Sequence, residues 1–143
     1  MNNLIKPPTT FWIIGIVGLI WNLMGVGAFY TSLNMSEEAL AAMTEIQRSL
    51  YDSTPSWTYV VNAVAVIAGV LGCLTLLMRK AWAIPLFLAS LIAVVIQMGH
   101  ALLATNALEA YGMQVIIMPI LVTGISLFLW YYAKSSAAKA WIS

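Results

Sequence analysis

Apolar residues fill this chain in four long blocks, and the breaks between them and the two chain ends carry all of its charge. The first block, FWIIGIVGLIWNLMGVGAFY, predicts a helix over residues 10–31, and at about 1.5 Å per residue it spans a hydrocarbon core of about 30 Å. Lys6, Pro7 and Pro8 suit its lead-in, because proline belongs at a helix start and not inside one. Val26-Gly27-Ala28 resembles a cleavage site, but the run is too long for the apolar region of a signal peptide and reads as a span. Two further blocks predict helices over 56–78 and 81–105, joined at Arg79-Lys80 by a turn so short that they form a tight hairpin. Pro85 falls in the first turn of the latter, where a missing N–H costs little. The fourth helix is predicted over 113–133, with a kink at Pro119.

One polar stretch is long enough to hold structure of its own, NMSEEALAAMTEIQRSLYDS. Ser36 or Asn34 can cap a helix there, with Glu37 and Glu38 in its first turn, where the helix dipole favours negative charge. Ala39, Ala42, Met43, Ile46 and Leu50 share one face. The prediction is a single amphipathic helix over 36–51, lying on the membrane or across the bundle mouth. The expected fold class is therefore all-α: an antiparallel four-helix transmembrane bundle with an outer amphipathic helix between helices 1 and 2. The chain makes one domain over residues 1–143, since four spans of about 20 residues leave no room for a second.

Spacing within the blocks also predicts packing. Gly15, Gly18, Asn22 and Gly25 fall on one face of helix 1, and Asn62, Ala65, Gly69 and Gly72 on one face of helix 2. Small residues in a stripe let backbones approach closely in lipid, where hydrophobicity gives helices no net attraction.

Composition sharpens the compartment. With 62% apolar and 8% charged residues, the chain departs far from the roughly 25% charged share of a soluble domain, and its solvent is lipid. Net charge is +1 with scattered basic residues, so no nucleic-acid partner is expected. Cys73 is the lone cysteine, and no intrachain disulfide or redox pair can form. Lys6, Arg79, Lys80, Lys134 and Lys139 fall at one end of a four-span layout, and every acidic residue falls at the other, with Arg48 the exception. Basic residues stay in the cytoplasm, which predicts cytoplasmic termini.

Four polar residues lie inside the spans: counting from the outer helix ends, Asn22 and Gln97 fall about 13 Å deep and His100 and Asn62 about 7 to 9 Å deep. Gln97 and His100 share a face of helix 3 with Ser90, Ala93 and Ala104, so that face should point into the bundle, with His100 turned toward Gln97 and within reach of Asn62. Tyr30, Tyr59, Tyr111 and Gln114 sit near enough to the mouth to join them. Such groups either hold helices together by hydrogen bonds or line a solute pocket. One histidine makes no closed metal site; haem through a single axial histidine, or shared across a dimer, stays open in principle. No metal and no cofactor are expected. Because the spans hold no Asp, Glu, Lys or Arg, a coupled exporter of the small multidrug type is not expected. The chain carries no paired carboxylates or nucleophile–base set, and it is not expected to be an enzyme.

Several local strings are shared with a known group. Trp21-Asn22-Leu23 with Gly25, Met35-Ser36-Glu37-Glu38-Ala39, Leu50-Tyr51, Ser53-Thr54-Pro55 with Trp57, Leu71-Gly72-Cys73, and Arg79-Lys80 with Pro85-Leu86-Phe87 resemble small bacterial four-span proteins often labelled "sugar transporter". The resemblance implies a solute-transport role. The small sugar carriers built from three-helix units with a Pro-Gln motif are different, as neither feature is present.

These residues support two functions. The first is a transporter or binder of a small neutral, sugar-like solute held by the polar cluster; four helices leave little room for a path through one protomer, so transport needs a homo-oligomer or larger complex. The second is an accessory subunit that docks a partner protein through its glycine stripes and outer helix. A cavity reaching Gln97 favours the first, a dry packed core the second.

Overall fold

In a computed structural model of the chain, six helices are present among the described residues: α1 (Thr9–Leu33), α2 (Glu37–Ala41), α3 (Glu45–Asp52), α4 (Ser56–Leu77), α5 (Ala83–Leu103) and α6 (Gln114–Ala138). The structure describes residues 4–103, 109 and 112–143, with the backbone alone for Gln114 and Val115. Four helices are long and apolar enough to cross a membrane: α1, α4, α5 and the stretch Ile116–Ala138 of α6. They pack as an antiparallel bundle in which α1 lies along α4, α4 along α5, and α5 along α6. Large side chains such as Ile13, Val17, Ile67, Ile92 and Ile120 face outward on all four, as lipid-facing positions should.

Glycines of α1 and α4 lie close against side chains of neighbouring helices. A Cβ on Gly69 would collide with the Asn22 amide, and one on Gly72 would stand 2.6 Å from the Phe87 ring. Gly15 and Gly18 are likewise closed over, by Leu77 and by Cys73 with Leu129, whereas Gly25 has only an ordinary 3.4 Å neighbour in Val66. Close approach therefore holds along the inner part of α1 and relaxes outward.

Two expectations need correction. The outer helix is not continuous over 36–51 but breaks at Ala42–Thr44 into two short helices. Thr44 forms a reciprocal cap with Gln47, each taking a backbone N–H of the other, and this restarts the helix where a continuous one would have needed Thr44 inside it. Ser36 caps the first piece by accepting from the Ala39 N–H at 3.1 Å. The last span does not end at residue 133 but at Ala138, because a change from apolar to Ala, Ser and Lys ends the lipid-facing stretch without ending helix propensity. After Ala138 the chain turns at Ala140 and buries Ile142, which is 2% exposed.

That turn belongs to a closure of the whole basic end. Both α4 and α6 end in a Schellman turn with a residue other than glycine in the left-handed position, Arg79 at φ 60° and Ala140 at φ 59°. In α4 the Lys80 N–H donates to Thr75 and the Arg79 N–H to Leu76; in α6 the Trp141 N–H donates to Ser136 and the Ala140 N–H to Ala137. From its turn Arg79 reaches both termini, donating from Nε to the Trp141 carbonyl at 2.9 Å and from the guanidinium to the Ile5 carbonyl at 2.7 Å. Backbone bonds from Ile5 to Ala140, from Ala81 to Ser143 and from Ser143 to Arg79 complete the tie. Beneath it Phe11, Leu76, Phe87, Leu129 and Ile142 form a core built from large side chains, with the Phe11 ring edge-on to Trp141 at 6.0 Å.

Candidate functional site

The opposite half of the bundle is built from smaller parts, and it does not fill. Its buried cluster is Ala65, Ala93 and Val94 alone among the described residues. At the basic end α1 and α6 are joined through Phe11 with Tyr132 and Gly18 with Leu129, and farther out residues of both line the same open space. Between them lies a cavity of about 550 Å³. Its floor is Gly69, Phe87 and Leu129, and its walls are apolar apart from Asn22, Asn62, Gln97 and the hydroxyls of Ser32, Ser90 and Ser126. Met24 and Met118, on α1 and α6, line it while remaining 66% and 51% exposed, so it opens sideways between these two helices.

A second cavity of about 890 Å³ lies above it under α3 and its flanking turns, and it is more polar. Met43, Ile46 and Leu50 of the amphipathic segment turn toward it, together with Glu45, Ser49 and Thr54, so this segment lies across the bundle mouth. Thr58, Tyr59, Asn62, Gln97 and His100 form its inner wall. Ser32, Asn62 and Gln97 line both cavities and mark where the two meet. At that junction the side-chain amides of Asn62 and Gln97 have no hydrogen-bond partner among the described residues. Both residues are half-buried and line open space, so their amides are available to a polar ligand there.

The chain matches no family model, no curated protein and no solved structure.

Of the residues singled out from sequence, Asn62, Tyr59, Gln97 and His100 come together in the polar cavity. His100 differs in its contact: its ring meets Trp57 edge-on, centroids 4.8 Å apart at 77°, rather than pairing with Gln97 or Asn62. Trp57 opens α4 and supplies an aromatic edge that a mouth position makes available. Asn22 lines the apolar cavity, but its amide is engaged, donating to the Gly18 carbonyl at 2.8 Å and lying 3.6 Å from the Cys73 sulfur. Tyr30 does not join the cluster; it is 68% exposed on the outer part of α1. Its position on the helix turns it away from the glycine seam. Tyr111 and the Gln114 side chain lie outside the described residues.

Ser90 has a larger part than its place at the end of the polar face suggests. Its hydroxyl donates to the Ala65 carbonyl at 2.7 Å and pins α5 to α4 beside the cavity floor. Seven residues before Gln97, it shares that face by simple helical spacing. The lateral gap between α1 and α6 has no such signal in the sequence, since it depends on side-chain volumes summed across four helices.

Proposed function

We propose that this chain is a membrane-embedded binding protein for a small neutral polar compound, held where the two cavities meet by Asn62 and Gln97, with Tyr59 and His100 above them. The observation that carries this reading is the meeting of the Asn62 and Gln97 amides at the junction, without hydrogen-bond partners among the described residues and reached from the mouth through a cavity of about 890 Å³. Both cavities lie within the range of about 300–1,000 Å³ typical of ligand sites, and the polar groups are few and convergent, as orientation of a ligand requires. Against docking of a partner through a dry seam, the outer core is open where that reading needs it packed. The sugar-like solute suggested by resemblance to four-span proteins labelled "sugar transporter" has this same chemistry: many hydroxyls and no charge. No catalytic step enters the reading.

In it the basic end lies in the cytoplasm of a bacterial inner membrane and the polar cavity opens outward, by the retention of Lys and Arg inside. Because Phe87 and Leu129 close the floor, passage through the bundle requires a second conformation or a second copy. Binding therefore comes first as the testable property. With the chain in lipid nanodiscs, a panel of radiolabelled neutral sugars and polyols should yield a ligand whose affinity falls about tenfold when Gln97→Leu removes one hydrogen-bonding partner. Equal binding by wild type and variant, or no binding across the panel, would refute the proposal. Modification of Glu45→Cys by an impermeant thiol reagent added only from the cytoplasmic side would overturn the orientation.

A further inference from the structure

The sideways opening asks for an occupant that the polar site alone does not explain. Resting on the binding reading above, we infer that the natural ligand is a single-chain amphiphile with a neutral, hydroxyl-bearing headgroup, entering from the bilayer between α1 and α6 with its chain in the apolar cavity and its headgroup at Asn62 and Gln97.

Four observations meet in this assignment. The apolar cavity faces the bilayer through exposed Met24 and Met118, at the depth where the surrounding medium is hydrocarbon. An apolar void offers water too few partners to hold it, whereas an acyl chain fits such walls. The cavity also ends blindly at Phe87 and Leu129, so a chain entering there has a defined end point. At its upper end it joins the polar cavity at the Asn62 and Gln97 amides, which have no hydrogen-bond partner among the described residues and supply donors and acceptors for hydroxyl groups.

Charge selects the headgroup. The described lining of the polar cavity contains Glu45 and neither lysine nor arginine, so an anionic phosphate there would meet a carboxylate and no counter-charge. A neutral headgroup meets no such penalty. The chain cannot supply the selectivity, because moving it from bilayer to protein exchanges one apolar environment for another. Recognition consequently rests on the amides, and the apolar cavity sets how the molecule lies.

The test uses the full-length protein in phosphatidylcholine vesicles and a monoacylglycerol carrying a photoreactive diazirine in its acyl chain. Cross-links should concentrate on Met24, Met118 and Val122, a further residue of the apolar cavity's wall on α6, fall with excess unlabelled monoacylglycerol, and resist an equal amount of lysophosphatidylglycerol, whose headgroup is anionic. Gln97→Leu should lower the labelling at least tenfold. Val122→Trp should fill the apolar cavity and abolish labelling of Met118 while leaving binding of a free polyol at the junction intact; it keeps the proposal testable if Gln97→Leu fails to fold. Labelling spread equally over the outward residues Ile13, Ile67 and Ile92 would overturn the inference. So would labelling that Val122→Trp leaves unchanged, or cross-links joining two copies of the chain across α1 and α6. If free polyols bind but the acyl chain adds nothing, the amphiphile falls and the polar site stands; if neither binds, both fall.

Discussion

Asn22 and Gly69 show how single positions set the spacing of this bundle. The Asn22 amide rests where a Cβ on residue 69 would stand, and the two residues face each other across the α1–α4 seam. Gly69→Ala forces either the amide or the backbone to move, and overpacking of that kind costs about 1–3 kcal/mol. Asn22→Ala removes the obstruction, so most of the Gly69→Ala penalty should vanish in the double variant. A double-mutant cycle by reversible denaturation in bicelles measures this coupling; additive losses would show that the contact does not set the spacing. Ser90 acts differently, since it holds α5 to α4 by one buried hydrogen bond. Ser90→Ala should cost about 0.6–2 kcal/mol by the same assay, the usual scale of such bonds between membrane helices. Both positions were legible as stripe members. Their neighbours across the seam were not, because helical spacing gives the face of a residue and not the identity of what lies opposite.

Among the elements, the two Schellman turns offer a controlled comparison. Ala140 and Arg79 each occupy a left-handed conformation that costs residues other than glycine about 1–2 kcal/mol. Replacing Ala140 by glycine relieves that cost and returns about 0.4–1 kcal/mol through greater unfolded-state freedom, for a net gain of roughly 0.5–1 kcal/mol. Arg79→Gly relieves the same strain but loses the guanidinium bonds to Trp141 and Ile5, each a charge-assisted bond worth about 1.5–3 kcal/mol. The first variant should therefore be more stable than wild type and the second less stable; loss of stability in both would show that strain is not stored at Ala140. Legibility varied just as sharply between elements. The Thr44-to-Gln47 spacing is a capping box visible in the sequence, and it marks the break in the outer helix that periodicity alone runs through. The return of Ile142 to the core left no comparable mark, since one apolar residue near a chain end has many possible fates.

At the scale of the molecule, the bundle is asymmetric along its axis, sealed by large side chains and the Arg79 tie at its basic end and opened by small ones at the other. The four spans and their order were written in the apolar blocks. The asymmetry was partly written too, in the large aromatic residues of one end and the alanines of the other, but the void depends on how side-chain volumes sum across four helices. Thiol chemistry can read this gradient directly, because the native cysteine lies on the sealed side. Cys73 is 0% exposed and packed with Leu76 and Phe87, so an impermeant methanethiosulfonate should leave wild-type protein unmodified in vesicles. Single cysteines at Asn62 and Gln97 line the polar cavity and should react from the acidic side within the time that leaves Cys73 untouched. Glycerol at high concentration should slow both reactions, and Gln97 more than a surface control at Tyr30. Fast modification of Cys73 would show that the basic end is not sealed, whereas an inert cysteine at position 97 would show that the cavity does not reach the junction where the amides meet.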